Sequence, residues 1–264
     1  MANEFRLIDT HTHLHAAHFD EDRAIVLERA AVAGVARIVE IGYDLASSQA
    51  ALALADDYPQ IFAVVGIQPN HAVDLPPDWV DQVHSLAHHP KVVAIGEIGF
   101  DYHWNVASPQ YQEQVFREQL CLARELELPV VIHSRDAQAD TIRVLRDAVT
   151  RGEALPRGIM HSFSGDWAYA ESCLEIGFLL SFSGPVTFPK ASSLHDAACR
   201  APLDRILTET DCPYLSPHPL RGKRNEPRNV RLITERLAEL RNLSLESVAS
   251  IIWNNASNIF RFCA

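Results

Sequence analysis

Histidines and carboxylates follow several short apolar runs of this 264-residue chain. His11 and His13 come after the first run, and residues two apart in an extended backbone point to the same side, so both imidazoles can reach one ion. Glu97 follows Val-Val-Ala-Ile, where a carboxylate is costly to bury unless it is paired or bound to a metal. The three residues together predict a metal site, although His-x-His alone also fits two ordinary loop histidines.

Three further candidates occupy equivalent positions later in the chain. His133 and His161 each follow an apolar run and precede a serine, and Asp211 follows the eighth run, close to Glu209. One such histidine fits a hydrogen-bonded core residue, but two on neighbouring strands favour ligation. Imidazole and carboxylate ligands together suit zinc, manganese, magnesium or iron. Glu209 is expected to fix the orientation of a ligand.

These ligands are too many for a single tetrahedral ion. We therefore predict two divalent cations, Mg, Mn or Zn, about 3.5–4 Å apart and bridged by Glu97. Such ions activate water for hydrolysis near neutral pH, with Asp211 orienting the water and taking its proton. The predicted catalytic residues are Asp211 and Glu97. The predicted metal ligands are His11, His13, Glu97, His133, His161 and Asp211.

Eight apolar runs, separated by helical patterns, are needed to position these side chains. The runs are nearly continuous rather than alternating, as expected for strands covered by helices. Parallel strands with helical crossovers predict an α/β fold, a single-domain (β/α)8 TIM barrel over residues 1–264, with function at the carboxyl ends of the strands. An open doubly wound sheet is the alternative, but no Gly-x-Gly-x-x-Gly follows the first strand. The predicted strands are residues 5–8, 36–41, 62–67, 92–98, 129–132, 158–160, 178–182 and 205–208.

Composition narrows the functional class. Apolar residues make up 47% and charged residues 22% of the chain, which is typical of a globular protein and argues against extensive disorder. The net charge of −11 argues against a passive DNA-binding protein, but less against an enzyme whose metals supply local positive charge. The five cysteines form no Cys-x-x-Cys pair, and neither a signal peptide nor a membrane-spanning run is visible, so we expect a cytoplasmic protein that does not bind membranes.

In these segments the sequence resembles the TatD family of metal-dependent deoxyribonucleases, over nearly the full chain. The motifs are specific in this combination and order, although His-x-His alone is shared across the amidohydrolase-like superfamily. The matching segments are Asp-Thr-His-Thr-His at 9–13, Gly-Glu-Ile-Gly-Phe-Asp-Tyr at 96–102, Val-Ile-His-Ser-Arg-Asp-Ala at 131–137, His-Ser-Phe-Ser-Gly at 161–165, Glu-Thr-Asp-Cys-Pro-Tyr at 209–214 and Arg-Gly-Lys-Arg-Asn-Glu-Pro at 221–227.

The resemblance implies a TIM barrel with two metal positions and a nucleic-acid substrate. One ion would be held by His11, His13, Glu97 and Asp211, and the other by Glu97, His133 and His161. Family members are described as nucleases, some of which act from the 3′ end of single-stranded DNA. The expected partner is therefore single-stranded DNA, as the substrate of a 3′–5′ exonuclease.

One departure from the family pattern concerns the substrate. The family commonly has Gly-x-His-Pro after the third strand, whereas here Gln68 precedes Pro69. Glutamine donates hydrogen bonds to phosphate but cannot become cationic, and His71 is a candidate to compensate. Basic residues could hold phosphates and Tyr214 could stack on a base, with exposed or structural roles as the alternatives. The predicted substrate-binding residues are Gln68, His71, Arg135, Tyr214, Lys223 and Arg224.

Two other functions remain open from the sequence. The first is metal-dependent hydrolysis of a small phosphodiester, ester or amide on the same scaffold. Relatives of that kind commonly carry a carboxylated lysine on strand four, where this chain has Glu97. The second is a non-catalytic quality-control factor, which should have lost ligands that this chain retains.

Overall fold

Eight parallel strands follow one another around a nearly closed barrel. The structure is a computed structural model that describes residues 5–104, 106–152 and 155–262. Each strand pairs with the next in chain order, which confirms the predicted (β/α)8 TIM barrel. The strands are β1 (Leu7–Thr12), β2 (Val35–Ile41), β3 (Ile61–Val65), β4 (Val92–Asp101), β5 (Val130–Arg135), β6 (Gly158–Met160), β7 (Leu179–Phe182) and β8 (Ile206–Thr208).

Helices lie between successive strands and cover the barrel. Their starts follow local chemistry: Asp44, Ser108, Asp166 and Ser244 each accept a hydrogen bond from a backbone N–H of the first turn that follows. The helices are α1 (Arg23–Val32), α2 (Leu45–Asp57), α3 (Trp79–Ala87), α4 (Pro109–Glu125), α5 (Gln138–Thr150), α6 (Trp167–Glu175), α7 (Ser192–Arg200), α8 (Val230–Arg241) and α9 (Leu245–Phe260).

Three strands extend beyond their predicted ends into polar sequence. β1 continues to Thr12, β4 to Asp101 and β5 to Arg135, whereas the apolar runs end at residues 8, 98 and 132. All ten residues of β4 are buried, including Glu97 and Asp101. The predicted bounds were wrong because the second half of each strand points polar groups into the mouth of the barrel. Candidate ligands in β1, β4 and β5 therefore sit on regular strand backbone rather than on loops.

The barrel closes between β1 and residues 210–213, which follow β8; we call this contact the seam. The Asp211 N–H donates to the His11 carbonyl at 2.9 Å, and the His13 N–H donates to the Cys212 carbonyl at 2.8 Å. Both hydrogen bonds involve candidate metal ligands. The closure of the barrel thus fixes the backbone of His11, His13 and Asp211 together.

A buried carboxyl group on β1, that of Asp9, stabilises the seam through hydrogen bonds to Thr210. Asp9 is fully buried and accepts hydrogen bonds from the Thr210 N–H at 2.8 Å and the Thr210 hydroxyl at 2.6 Å. Burial raises the pKa of Asp9 well above its ordinary value, despite these hydrogen bonds. The Thr10 hydroxyl donates to the Thr208 carbonyl at 3.0 Å, one step deeper in the barrel.

Within the described residues, no helix is both long and apolar enough to cross a membrane. Cys121, Cys173, Cys199 and Cys212 are free thiols, and Cys263 lies outside the described residues.

An ion-pair network between α4 and α5 should make stability depend on acid pH. Glu113 lies 2.6 Å from an Arg143 nitrogen and 2.7 Å from an Arg117 nitrogen, and the hydrogen bond from Arg143 lowers the pKa of Glu113 to about 2. A pKa depressed by folding stabilises the protein above the unfolded value of 4.5 and loses that contribution as pH falls towards 2. Glu113→Gln should therefore lower the free energy of unfolding at pH 7, by about 1 kcal/mol or less.

Urea unfolding at pH 7, 4 and 2.5 measures this difference, which should shrink across that interval. Glu118→Gln, on the same helix, removes a carboxylate hydrogen-bonded to Gln114 rather than to an arginine and serves as the control. A difference between wild type and Glu113→Gln that stays constant down to pH 2.5 would contradict the assignment.

Candidate metal centre

One group of donor atoms forms at the seam. Asp211 Oδ1 lies 3.4 Å from His13 Nε2 and 3.6 Å from His11 Nε2, and the three side chains offer ligand atoms within 4.8 Å of one another. Asp211 has φ 57°, in the left-handed region, which aspartate tolerates better than most residues. Its N–H bond to His11 holds this conformation, and the carboxylate points at both imidazoles.

A second group forms around Glu97 on the opposite side. Glu97 Oε1 lies 2.6 Å from His133 Nδ1 and 3.4 Å from His161 Nε2, and these side chains also meet the 4.8 Å spacing. The other oxygen, Oε2, lies 4.0 Å from His11 Nε2. Glu97 thus faces both groups with separate oxygens. The structure brings together all six residues predicted as ligands.

The outward nitrogens of three imidazoles contact protein acceptors. His13 Nδ1 lies 3.0 Å from the Ile41 carbonyl, His133 Nε2 lies 2.9 Å from Asp101 Oδ2, and His161 Nδ1 lies 2.7 Å from Glu209 Oε1. Acceptors beside the outer nitrogen orient an imidazole ring, as carboxylates and backbone carbonyls do around metal-ligating histidines. In each ring the inner nitrogen faces Asp211 or Glu97.

The charge and hydrogen bonding of the cluster fit a cation. Both ring nitrogens of His11 are buried and have no hydrogen-bond partner, and its ring stacks on His161 with centroids 3.6 Å apart. Burial lowers the pKa of His11, so its ring is neutral and has a lone pair to donate. An unpartnered buried polar group is costly, and an ion between the two donor groups would remove that cost.

The carboxylate at the centre stays ionised. Burial alone would raise the pKa of Glu97, but the imidazoles of His161 and His133 hold it well below its ordinary value. Burial would likewise lower the pKa of His133, yet Glu97 and Asp101 raise it to about 9. The site therefore attracts positive charge, which protons or metal ions can supply.

Two buried carboxylates of this region were not identified as functional by sequence reasoning. Asp101 contacts His133, and its position could have been found because residues 97, 99 and 101 alternate onto one face of β4. Glu40 lies inside the apolar run of β2 and accepts hydrogen bonds from the Thr12 hydroxyl at 2.6 Å and His15 Nδ1 at 2.7 Å. Glu40 also accepts hydrogen bonds from the backbone N–H groups of Leu14 at 2.9 Å and His15 at 2.8 Å, so it contacts residues on both sides of His13.

The predicted substrate residues after β3 lie at the rim, and one of them caps a turn. Gln68 Oε1 accepts a hydrogen bond from the Asn70 N–H at 2.8 Å, which leaves its amide N–H groups for a ligand. The His71 ring lies 4.6 Å from the Tyr43 ring, which in turn is 5.7 Å from the His13 ring. His71 is therefore connected to the centre through one aromatic side chain.

Tyr214 and Arg135 lie on other parts of the rim. Tyr214 follows the seam, is 53% exposed, and its ring centroid lies 6.1 Å from that of His13. Arg135 ends β5, two residues after His133, and its guanidinium lies 5.6 Å from the centroid of the exposed Trp104 ring. Both side chains are accessible to a ligand above the centre.

The two basic residues of the loop after the seam differ in their surroundings. Arg224 donates to both carboxylate oxygens of Asp22, at 2.8 and 2.7 Å, and to the His18 carbonyl at 2.6 Å. Arg224 therefore ties the loop to the start of α1, which is the structural role that the sequence left open as the alternative to phosphate binding. Lys223 is exposed.

The family follows from the comparison with known sequences. The family model described as "TatD related DNase" matches residues 8–261. The chain belongs to the TatD family. The TatD-family assignment agrees with the order of the motifs and with the barrel described above, and it makes the chain a TatD-type metal-dependent hydrolase.

Individual TatD relatives match over almost their whole length. A protein of Bacillus subtilis named "Uncharacterized metal-dependent hydrolase YabD" is 43% identical over 255 residues, covering 97% of this chain and 99% of the relative. The "3'-5' ssDNA/RNA exonuclease TatD" of Pectobacterium parmentieri is 35% identical, covering 97% and 99%. The crystal structure of the TatD homologue YJJV from Escherichia coli superposes with a TM-score of 0.89 at 31% identity, covering 97% and 98%.

Asp101→Asn should weaken metal binding without unfolding the protein. The carboxylate orients His133 through its 2.9 Å contact, and loss of such an outer partner typically costs about 10–100-fold in metal affinity. Isothermal titration of the metal-free variant with Zn²⁺ or Mn²⁺ measures the change. Asp56→Asn is the matched control. Asp56 lies on α2, outside the candidate metal centre, and also contacts a histidine, with its Oδ1 3.3 Å from His89 Nε2. Equal affinities for wild type and Asp101→Asn would show that Asp101 does not orient a ligand.

Substitution of Arg224 should destabilise the protein more than substitution of Lys223. Arg224→Ala should lower the melting temperature because it leaves the Asp22 carboxylate without its strongest partner. Lys223→Ala should leave the unfolding free energy within about 0.5 kcal/mol of wild type, as is usual for an exposed surface position. Differential scanning calorimetry of both variants provides the comparison. A larger loss of stability in Lys223→Ala would reverse the two assignments.

Proposed function

We propose that this TatD-family chain is a 3′–5′ exonuclease that hydrolyses phosphodiester bonds in single-stranded DNA with two divalent metal ions. The observation that carries the proposal is the pair of donor groups, one of His11, His13 and Asp211 and one of Glu97, His133 and His161, with the second oxygen of Glu97 4.0 Å from His11 Nε2. The exonuclease name of relatives at 34–35% identity supports the choice of nucleic acid.

One ion position would use His11, His13, Glu97 and Asp211, and the second would use Glu97, His133 and His161. Imidazole and carboxylate donors together accept Mg, Mn or Zn, so the donor chemistry fits all three. Divalent ions bound there supply an activated water and neutralise charge on the phosphate.

We assign the proton transfer to Asp211. Its side chain lies between His11 and His13, and the residue is only 9% exposed. The seam holds its backbone, so the carboxylate keeps its direction while the substrate changes. We assign Asp211 to orient the attacking water and to accept its proton, and Glu97 to keep the two donor groups in register.

The depth of the site favours a strand end over a duplex. The candidate ligands His11, His13, Glu97 and Asp211 are all buried below the rim. A flexible single strand can bring its terminal phosphodiester into such a recess more readily than a rigid duplex can. At the rim, Gln68, His71, Arg135 and Lys223 are the candidates for phosphate contacts, and Tyr214 is the candidate for stacking on a base.

The protein is acidic overall, with a net charge of −11. Nucleic-acid binding by the protein surface as a whole is therefore weak, and attraction must come from the rim cations and the bound metals. We accordingly expect the enzyme to bind DNA chiefly at the mouth of the barrel.

Asp211→Asn should abolish most of the hydrolysis. Asparagine keeps the shape but cannot accept the proton, and general-base catalysis typically contributes about 10²–10⁴-fold to the rate. The measurement is kcat on 5′-labelled single-stranded DNA, with the product ladder read on a gel, and kcat on bis-p-nitrophenyl phosphate. Asp204→Asn, before β8, is a control substitution outside the centre.

The wild-type ladder also tests the substrate and the direction. Stepwise shortening from the 3′ end supports the proposal, and internal cuts contradict the exonuclease assignment. Hydrolysis of bis-p-nitrophenyl phosphate without any cleavage of DNA would instead favour a small phosphodiester. A wild-type rate in Asp211→Asn would remove Asp211 from the mechanism.

A further inference from the structure

An exposed tryptophan lies beyond the end of the strand that carries Glu97. Trp104 is 61% exposed and follows β4 by three residues. Tryptophan is a highly buried residue on average, so an indole in solvent at the mouth of a barrel is unusual. We propose that Trp104, with Arg135, forms a stacking platform for a nucleobase of single-stranded substrate; this rests on the proposed function.

The platform is connected to the metal centre through Asp101. One carboxylate oxygen, Oδ2, contacts His133 Nε2 at 2.9 Å. The other, Oδ1, accepts hydrogen bonds from the backbone N–H groups of His103 at 2.9 Å and Trp104 at 3.3 Å. A single buried side chain therefore sets the position of a candidate metal ligand and of the tryptophan backbone.

Asp101 also anchors the segment that carries Gln68 and His71. The Asn70 side-chain amide donates to Asp101 Oδ2 at 2.9 Å. The segments after β3 and β4 thus share one anchor beside the centre. The backbone of Trp104 therefore lies on a fixed part of the rim, which a strand bound at the metal centre would cross.

The neighbours of the indole suit a nucleotide. The Arg135 guanidinium lies 5.6 Å from the Trp104 ring centroid, and the His103 ring packs edge-on with centroids 4.9 Å apart. In the described part of the chain, Arg135 has no carboxylate within ion-pair distance, so its charge is available for a phosphate. An aromatic face for the base beside a cation for the backbone is the combination that binds single strands.

The barrel topology places a second exposed ring on the other side. Trp104 follows β4 and Tyr214 follows β8, and in an eight-stranded barrel these strands are four positions apart in either direction. The two rings therefore flank the mouth from opposite sides. Two rings on opposite sides of the mouth can contact an extended chain of several nucleotides, whereas a small ester is too short to reach both. Trp104 is therefore a specificity residue for oligonucleotides.

Trp104→Ala should weaken the enzyme selectively towards oligonucleotides. The ratio of kcat/KM for single-stranded oligothymidylate to kcat/KM for bis-p-nitrophenyl phosphate should fall about tenfold, chiefly through KM. Fluorescence anisotropy with a labelled phosphorothioate oligothymidylate, which resists cleavage, should show a matching loss of affinity. Trp104→Phe retains a smaller aromatic face and should lie between wild type and Trp104→Ala.

Two further variants keep the test decisive. Trp104→Leu keeps apolar bulk but removes the aromatic face, so it should behave as Trp104→Ala and replaces it if the alanine variant does not fold. Trp253→Ala is the matched control, because Trp253 on α9 also stacks with arginines, Arg6 at 4.3 Å and Arg37 at 4.8 Å, away from the segments after β4 and β5.

The outcomes separate the inference from the function on which it rests. If wild type cleaves oligothymidylate and the ratio is unchanged in Trp104→Ala and Trp104→Leu, the platform is wrong and the nuclease function stands. An equal fall in Trp253→Ala also overturns the platform. If wild type neither binds nor cleaves oligothymidylate, both proposals fail.

Discussion

The pairing of β1 with the residues after β8 is the constraint on which the site depends. His11 and His13 lie at the end of β1, and the backbone bonds that close the barrel are made by their own peptide groups to Asp211 and Cys212. The same hydrogen bonds that close the barrel therefore bring His11, His13 and Asp211 together. Asp9 stabilises this contact from within the barrel through Thr210, at the cost of burying a carboxylate.

The second donor group depends on side-chain orientation instead. Asp101 and Glu209 contact the outer nitrogens of His133 and His161, so the inner nitrogens face Glu97. Each of these imidazoles lies between two carboxylates, Glu97 on the inner side and Asp101 or Glu209 on the outer side. The negative charge of these carboxylates favours a cation at the centre. The same Asp101 extends this control to the rim, since it binds the backbone that carries Trp104.

Much of the fold and the candidate ligands could be predicted from the sequence, because apolar runs and the polar residues after them are local signals. Asp101 and Glu40 were missed since a charged residue ends or interrupts an apolar run, although both lie within buried strands. The sequence left the role of Arg224 open between phosphate binding and a structural contact, because its partner Asp22 is 202 positions away in sequence. Pairings of that kind are set by the packing of the loop on α1, which local composition does not encode.

The seam has a consequence for the timing of assembly. Its two halves are about 200 positions apart, as in the contact between Asp9 and Thr210. Chains fold as they leave the ribosome from the amino end, and long loops are closed late. A nascent or prematurely terminated chain that lacks Asp211 holds His11 and His13 without their carboxylate partner. On the proposed role of Asp211, an incomplete translation product would therefore lack hydrolytic activity until the residues after the last strand have paired with β1.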